Sequence, residues 1–425
     1  MTEQLIIAGE RRDAAEGATF TVTEPATGKP LAEVAKASAV DVDLALTAAA
    51  KAFADGRGTW ARTSGTERGR VLLRVSQLIR EREDQLATAE ARGAGHPIGD
   101  ARWEVGAAAG TFEYYAGAAN KHFGSVVPVQ DAGLDVVLRE PVGPVGLIVP
   151  WNFPLLIACW KLAPALACGN PVILKPASLT PLTALLLGDI LVEAGVPADQ
   201  VYVLPGPGGI IGDALVSDHR TAKISFTGET TTGASILKAS ADHIARVSLE
   251  LGGKSAAIVF ADADVQKAAA DAPMSVFGNA GQDCCARSRI LVERPVYDEF
   301  LEAFEAATRA IKVGDPLDAA TPVELQQAID AAMRLELARM QDHLSLLRRM
   351  SAREKVASFL TRLSGPHAVS PALPMGRQDV ADFLGLTMET VSRVLSQFER
   401  DGVLRFAGPR QFEVHRPQVL AALAA

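Results

Sequence analysis

Short hydrophobic runs rich in β-branched residues alternate with helical patterns between residues 141 and 260. Runs such as Gly146–Val149 and Val172–Lys175 are almost entirely apolar, which is typical of strands buried on both faces. Helical spacing of apolar residues follows over Pro181–Ala194 and Thr230–Ala239. The alternation predicts an α/β domain with a mostly parallel sheet, whose ligands bind beyond the carboxyl ends of the strands. The other strands that it predicts are Val201–Leu204, Ala222–Phe226, Val247–Leu249 and Ala256–Phe260.

Helical patterns also lie on both sides of this region. Amphipathic runs at Asp43–Phe53 and Arg68–Ala91 come before it. After it we predict a helix at Asp264–Gly278, a strand at Arg289–Glu293 and a helix at Val296–Ile311. From residue 323 a long helix is predicted, with apolar residues three and four apart, close to a heptad seam. The seam consists of Ile329, Met333, Leu337, Met340, Leu344 and Leu347. This helix belongs either to its own domain or to a dimer interface.

The end of the chain has a pattern of its own. Arg377–Leu384 and Met388–Glu399 predict two helices, and Gly385 begins the turn between them. Two short strand patterns follow at Val403–Phe406 and Gln411–Val414. The order predicts a helix-turn-helix with a β-hairpin wing, and an ordinary helical hairpin is the alternative.

Composition indicates a folded protein of two or three domains. The chain has 425 residues, of which 48% are hydrophobic and 22% charged. The formal net charge of −8 divides unevenly, with −10 on residues 1–320 and +2 on residues 321–425. The whole chain is therefore not an electrostatic nucleic-acid binder, although its last part differs from the rest.

The cysteines and the longest uncharged stretch indicate the compartment. The four cysteines, at positions 159, 168, 284 and 285, form no disulfide framework and have no zinc-finger spacing. Asp262 and Asp264 resemble exposed loop carboxylates, so we expect no metal site. Pro141–Trp160 is uncharged, but its four prolines favour a core strand and loop over a membrane helix. We expect a cytoplasmic protein that does not bind membranes, because the N-terminal residues also lack a signal-peptide pattern.

Four segments, of which the fourth is a pair of runs, carry candidate chemistry. An Asn side chain at Pro150–Pro154 could donate a hydrogen bond to an oxyanion, and a Lys side chain at Leu174–Ser178 could meet a ribose or phosphate. Phe226–Gly233 places a glycine turn before a helix, where free backbone N–H groups bind phosphate. Glu250–Lys254 and Gly281–Cys285 together offer a carboxylate base and a thiol nucleophile. Gly206–Gly212 looks like a dinucleotide fingerprint, but its last glycine falls one residue late.

In this order and spacing, the four segments over residues 5–318 resemble the aldehyde dehydrogenase superfamily. The resemblance implies that Cys284 is the nucleophile, that Asn152 holds the oxyanion and that Glu250 activates water. The implied cofactor is NAD or NADP. Its implied contacts are Trp151, Lys175, Ser178, Gly228, Glu229 and Gly233. Phe153 and Trp160 match positions that line the family's substrate tunnel.

Three features depart from the family pattern. Ser178 stands where NAD-preferring members often carry Glu, so NADP remains an alternative. Glu229 stands where Ser is common near the pyrophosphate, so its role stays open. After Gly314–Pro316 the family's chain normally continues through the rest of the catalytic domain, and residues 319–425 lack its E-x-F-G-P motif. We therefore expect a partial catalytic domain.

Residues 325–420, through the run from Gly376 to Arg393, resemble the winged helix of Crp/FNR transcription regulators. The resemblance implies that Glu389, Ser392 and Arg393 read base edges in double-stranded DNA, through residues 375–414. Arg377, Arg405 and Arg410 are candidate phosphate contacts. The apolar seam matches the end of that family's dimer helix, so a homodimer reading a palindrome is expected.

Together these predictions describe a fusion of an α/β part with a smaller α+β part that follows it. We expect a Rossmann-type dinucleotide-binding domain at 1–252, with a bridging segment near 122–142, and a partial catalytic domain at 253–320. A linking or dimer helix at 321–350 and a winged helix-turn-helix at 351–425 would follow. The predicted function is oxidation of an aldehyde to a carboxylic acid through a cysteine thioester. The alternatives are a catalytically inactive DNA-binding regulator, or a gene-fusion or deletion product without either full activity.

Overall fold

A computed structural model describes residues 2–130, 133–319, 323–324, 351–364, 376–408 and 411–424. The chain divides into two compact units. The first unit spans residues 1–260, 270–292 and 310–331, and the second spans residues 261–269, 293–309 and 332–425. The predicted apolar seam between Ile329 and Leu347 lies outside the described residues.

A seven-stranded sheet forms the centre of the first unit. In chain order its strands are β1 (Leu5–Ile7), β2 (Glu10–Arg12), β3 (Val145–Ile148), β4 (Val172–Lys175), β5 (Val201–Val203), β6 (Lys223–Gly228) and β7 (Arg246–Leu251). Across the sheet the order is β7-β6-β3-β4-β5-β1-β2. The five strands from β7 to β5 are parallel, whereas β1 and β2 add an antiparallel hairpin at one edge. The predicted α/β fold with a mostly parallel sheet is confirmed.

Burial along the strands follows their position in the sheet. Every residue of the central strands β3, β4 and β5 is buried, as continuous apolar runs require. Strand β7 lies at the edge, and its residues alternate between exposed and partly buried. One face of β7 is therefore open, and this face carries Arg246, Ser248 and Glu250.

Helices cover the sheet and extend beyond it. Up to residue 240 they are α1 (Ala39–Phe53), α2 (Thr59–Arg62), α3 (Gly65–Glu81), α4 (Glu83–Gly93), α5 (Ile98–Ala118), α6 (Pro154–Ala167), α7 (Leu182–Glu193), α8 (Asp213–Ser217) and α9 (Thr230–Ser240). A capping box of Ser64 and Glu67 begins α3. Pro154 occupies the first turn of α6, where its missing N–H costs nothing. The largest buried core joins α3, α4, α5 and α6 to the central strands.

Smaller sheets complete the first unit. A three-stranded sheet contains Thr2–Glu3, Pro30–Ala35 and Thr19–Thr23, and an exposed antiparallel hairpin contains Ser125–Val127 and Asp135–Val137. Ala256–Val259 pairs in parallel with Arg289–Val292, and Val313–Gly314 with Val323–Glu324.

Between these strands, the predicted single helix at Asp264–Gly278 is wrong. The chain instead forms α10 (Val265–Asp271) and α11 (Met274–Phe277). Pro273 precedes α11 and lacks the N–H that a continuous helix would need, so the two helices are separate.

The second unit has its own core. Its helices are α12 (Tyr297–Arg309), α13 (Ala352–Ser364), α14 (Arg377–Phe383), α15 (Met388–Arg400) and α16 (Pro417–Ala424). Strands β8 (Leu404–Phe406) and β9 (Phe412–Val414) pair as an antiparallel hairpin. The core contains Val356, Leu360, Val391, Leu395 and Phe398 among other side chains. Helix, turn, helix and hairpin thus follow in the predicted order.

No helix in the described part of the chain is both long enough and apolar enough to cross a membrane.

Candidate active site and nucleic-acid interface

The parallel strands end at one edge of the sheet, and most predicted site residues follow those ends. Lys175 closes β4 and pairs with Ile148 at the end of β3, four residues before Asn152. On the other side, Gly228 closes β6, and Glu250 on β7 pairs with Thr227. The candidate oxyanion, cofactor and base residues therefore lie along the edge where α/β folds bind ligands.

The loop of Gly281–Cys285, which we call the cysteine loop, meets this edge at two points. The side-chain amide of Asn152 donates a hydrogen bond to the carbonyl oxygen of Gln282 over 2.6 Å. A Cβ added to Gly253 would stand 3.6 Å from the carbonyl oxygen of Cys284. The structure therefore brings Asn152, the residues after Glu250 and the Cys284 loop together, although they are far apart in sequence.

The thiol of Cys284 is exposed and lies beside a second thiol. The Sγ atoms of Cys284 and Cys285 are 3.6 Å apart, and the Cys285 N–H donates to Asp283 Oδ1 over 2.9 Å. Partial burial, the neighbouring Cys285 and the carboxylate of Asp283 raise the pKa of Cys284 to about 11. The thiol of Cys284 is therefore protonated at neutral pH in this arrangement.

A buried group of side chains, which the sequence analysis did not identify, holds the backbone of Asn152. Its carbonyl oxygen accepts a hydrogen bond from Asn279 Nδ2 over 2.8 Å and lies 2.7 Å from His96 Nε2. His96 Nδ1 lies 2.6 Å from Glu104 Oε1, with 1% and 3% of these two side chains exposed. Asn152 is thus fixed through its main chain while its amide contacts the cysteine loop.

The charges in this group shift one another's pKa values. Burial alone would lower the pKa of His96, but the hydrogen bond and charge of Glu104, with a contribution from Glu90, raise it to about 9. Burial raises the pKa of Glu90 to about 7, against the opposing charge of His96. Glu90 also accepts hydrogen bonds from the Leu155 N–H and the Thr183 hydroxyl. It therefore ties the first turn of α6 to the same buried group.

The predicted cofactor residues offer donors of the expected kind. The Lys175 side chain is buried, with 5% of the residue exposed. Among the described residues, its ammonium donates a hydrogen bond to the Pro176 carbonyl over 3.0 Å. Burial lowers its pKa to about 8. An ammonium has three donors, so two are free for ribose hydroxyls or a phosphate. The Ser178 hydroxyl donates to the Gly206 carbonyl over 2.9 Å and joins the loops after β4 and β5.

The turn after β6 leads directly into α9. Glu229 is the residue before the helix, and among the described residues its side chain makes no capping bond to α9. The first N–H groups of α9 are therefore available to an anion. A Cβ on Gly233 would lie 2.8 Å from Leu251 Cδ2, so glycine lets α9 pack closely on β7. These residues fit a dinucleotide.

Phe153 and Trp160, both predicted to face substrate, line different cavities. Phe153 lines a cavity of about 390 Å³ that also contains Trp103, Asp283 and Cys285. Trp160 is 54% exposed and lines a larger cavity, which Lys161 and Lys223 share. Phe153 therefore lies beside the cysteine loop, whereas Trp160 does not line the same space. Trp151 is 42% exposed.

Lys161 is a second residue that the sequence analysis missed. Its Nζ donates to the Ser225 hydroxyl over 2.9 Å, and burial lowers its pKa to about 8, against the charge of Glu250. Lys161 is the only charged residue between Glu140 and Lys175. That isolation within an apolar run is a signal from which it could have been found.

The second unit presents the predicted base-reading residues on one face of a helix. Glu389 and Arg393 are exposed on α15 and Ser392 is partly exposed, while Val391, Leu395 and Phe398 are buried. Gly385, in the turn before α15, has a φ of 59°, which glycine adopts without strain. The Thr387 hydroxyl then caps α15 by accepting from the Thr390 N–H over 3.2 Å.

The candidate phosphate contacts lie near the wing. The guanidinium of Arg377 lies over the Phe406 ring at 5.6 Å, and Arg405 is exposed on β8. Arg410 lies outside the described residues. Arg377 and Arg405 thus stand beside the hairpin that follows α15.

Comparison with known proteins gives two family matches. Residues 12–339 match the aldehyde dehydrogenase family, and residues 354–423 match the Crp-like helix-turn-helix domain. Cytosolic 10-formyltetrahydrofolate dehydrogenase of Pongo abelii is 43% identical over 321 residues, which are 74% of this chain and 35% of that protein. Aldehyde dehydrogenase family 2 member B4, mitochondrial, of Arabidopsis thaliana is 44% identical over 315 residues, 74% of this chain and 58% of that protein. The chain thus spans about a third to three fifths of these relatives.

A solved structure agrees with the fold. The crystal structure of PnpE in complex with nicotinamide adenine dinucleotide matches 88% of this chain and 71% of its own, with a TM-score of 0.75 and 39% identity.

Proposed function

Because the chain belongs to the aldehyde dehydrogenase family over residues 12–339 and carries a Crp-like helix-turn-helix domain over residues 354–423, we propose that it oxidises an aldehyde through Cys284. The observation that carries this proposal is the hydrogen bond from the Asn152 amide to Gln282. This bond supports the proposal because it holds the Asn152 amide against Gln282, which is two residues before Cys284. The product would be a carboxylic acid.

Cys284 and Asn152 would act on the carbonyl group together. The thiolate attacks the carbonyl carbon and forms a thiohemiacetal, whose oxyanion is stabilised by the Asn152 side chain and the Cys284 N–H. An amide NH₂ has two donor hydrogens, and the bond to Gln282 uses one of them. The other remains for the oxyanion. The raised pKa of Cys284 disfavours the thiolate form at neutral pH.

Glu250 would complete the reaction as a general base. It lies at the carboxyl end of β7, and the chain after it passes beside Cys284 at Gly253. There it would take a proton from the water that hydrolyses the thioester, which releases the acid and restores the thiol.

Lys175 and the start of α9 would hold the cofactor, which would accept the hydride that the thiohemiacetal loses on becoming the thioester. Lys175 offers free donors for the adenosine ribose, and Gly228 leads into the α9 N-terminus for the pyrophosphate. The Ser178 hydroxyl carries no charge that would repel a 2′-phosphate, so we propose that both NAD and NADP are accepted. The NAD complex of PnpE supports the choice of a nicotinamide dinucleotide.

The test is an absorbance assay of NADH or NADPH formation with a panel of aldehydes. We expect Cys284→Ala to abolish the aldehyde-dependent signal and Asn152→Ala to lower kcat roughly 10²–10³-fold, the usual effect of losing one oxyanion donor. Activity should also rise with pH above neutrality as Cys284 ionises. Cys168→Ala, at an exposed cysteine outside this site, is the control and should retain full activity. A flat trace with folded wild-type protein would contradict the proposal.

A second function, DNA binding, is favoured by the exposed Glu389 and Arg393 on α15. A Glu side chain accepts from a cytosine amine, and an Arg side chain pairs with guanine O6 and N7. The second unit would then bind double-stranded DNA through residues 375–414, with two copies reading a palindrome. In this function the first unit would sense the aldehyde or the nicotinamide dinucleotide as the regulatory signal.

A further inference from the structure

Three metal-ligating side chains meet in the cysteine loop. One carboxylate oxygen of Asp283 and the Sγ atoms of Cys284 and Cys285 all lie within 4.8 Å of one another. Both cysteines are exposed, so an ion can reach them from solvent. No sequence pattern predicts such a site, because adjacent cysteines have none of the spacings that mark structural zinc.

The separation of the two sulfur atoms matches a tetrahedral metal. Zinc binds thiolates at about 2.3 Å, so two sulfur ligands at a tetrahedral angle lie about 3.8 Å apart. The Sγ atoms of Cys284 and Cys285 are already 3.6 Å apart. A movement of a few tenths of an ångström would therefore bring the two Sγ atoms to the separation that a tetrahedral zinc ion requires.

The carboxylate of Asp283 is also held in place. Its Oδ1 accepts a hydrogen bond from the Cys285 N–H over 2.9 Å. This bond fixes the side chain above its own loop and leaves Oδ2 available as a third ligand. One carboxylate and two thiolates would give a bound dication a net charge of −1.

We propose that Asp283, Cys284 and Cys285 form a binding site for a thiophilic divalent cation of the zinc class, with water in the fourth position. Both thiols release their protons to solvent when the cation binds. The metal–sulfur bond uses the electron pair of Cys284 that would attack an aldehyde, so the cation inhibits the reaction reversibly. This consequence depends on the proposed aldehyde oxidation, whereas binding of the cation does not.

The binding test uses Co²⁺ with the reduced full-length chain, because Co²⁺–thiolate bonds give an ultraviolet charge-transfer band. We expect one Co²⁺ per chain with this band, and its displacement by Zn²⁺. Cys284→Ser and Cys285→Ser should each abolish the band, and Asp283→Asn should weaken binding about tenfold or more. Cys168→Ser removes an exposed cysteine elsewhere in the same unit and should bind as the wild type does. Unchanged Co²⁺ affinity in Cys285→Ser, or no band in the wild type, overturns the proposal.

Inhibition is measured separately in the aldehyde assay. Micromolar Zn²⁺ should suppress NADH formation, and a chelator should restore it, in both the wild type and Cys168→Ser. If the wild type binds Co²⁺ through thiolates but has no activity, aldehyde oxidation fails and the metal site stands. If it is active and Zn²⁺ at saturation leaves the rate unchanged, the inhibitory role is wrong.

Discussion

Asn152 joins two parts of the candidate active site that come from distant stretches of the chain. Its side chain holds the Gln282 carbonyl, and its main-chain oxygen contacts Asn279 and His96. Oxyanion stabilisation depends on donors that are fixed before the reaction begins, because reorganisation during the step would cost free energy. The buried group around His96 therefore matters to the site even though it does not reach the thiol.

The first prediction concerns the pH dependence of stability at His96. The pKa of His96 is about 9 in the folded chain and about 6.5 in the unfolded chain, so folding takes up a proton between these values. Its contribution to the free energy of unfolding is complete below pH 6.5 and is lost as pH rises through 9. His96→Gln should remove the contribution of His96 to this pH dependence and leave that of Glu90, and it should lower stability at pH 6.5 by roughly 3–5 kcal/mol, since Glu104 then lacks its buried partner.

Urea unfolding curves between pH 6 and 9.5 measure this effect. His122→Gln changes an exposed histidine of the same unit and should leave the slope as it is in the wild type. Parallel slopes in the wild type and His96→Gln would show that His96 is neutral in the folded chain.

The residues that the sequence did not identify are those whose importance depends on burial. Cys284, Asn152 and Glu250 stand in runs whose order and spacing resemble the aldehyde dehydrogenase superfamily, and that resemblance implied their roles. His96 lies in a Gly-Pro turn with no periodic pattern, and only the fold places it between Glu104 and Asn152. A charge partner supplied by another helix cannot be inferred from local sequence.

At the scale of elements, α15 combines a buried face with an exposed polar face. Val391, Leu395 and Phe398 fix its rotation against the core, and this rotation turns Glu389 and Arg393 outward. The Thr387 cap and the left-handed Gly385 fix where the helix begins. Side-chain positions on the outer face are thus set by packing on the inner face.

The second prediction follows from that geometry. Arg393→Ala should weaken binding to a duplex selected from a random pool roughly 5- to 100-fold and relax the preference at one base pair, as loss of a bidentate guanine contact does. Arg400→Ala removes the same charge from the exposed end of the same helix. It should weaken binding to all sequences alike and reduce the salt dependence of binding. Fluorescence anisotropy with matched and scrambled duplexes separates the two effects, and equal losses in both variants would exclude base reading by Arg393.

Elements with a strong pattern were predicted well, and elements made of small residues were not. The apolar strands at 145–148 and 172–175 lie where the sequence placed them. Helix α5 was not predicted, because its buried face includes three alanines and the charged Glu104, which weaken the apolar periodicity. The segment Asp264–Gly278 was predicted as one helix because its apolar spacing continues through Pro273, where backbone chemistry separates α10 from α11.

At the scale of the whole molecule, each of the two units has a hydrophobic core of its own. The larger core draws on residues between Ile6 and Val203, and the other draws on residues between Val356 and Leu420. All of the proposed cofactor residues belong to the first unit, and all of the described base-reading residues belong to the second. Because each unit has its own core, we expect each to unfold as a unit of its own.

The third prediction is that calorimetry of the full chain resolves two unfolding transitions with different ligand responses. NAD at a hundred times its Kd should raise the free energy of unfolding of the first unit by about 2.7 kcal/mol, because only the folded first unit binds it. Lys175→Met should reduce that shift by removing the ammonium that meets the ribose. A selected DNA duplex should raise the midpoint temperature of the transition of the second unit, and Arg393→Ala should cancel this increase. One transition that both ligands raise equally would mean that the two cores unfold cooperatively, and a single stability would then describe the whole chain.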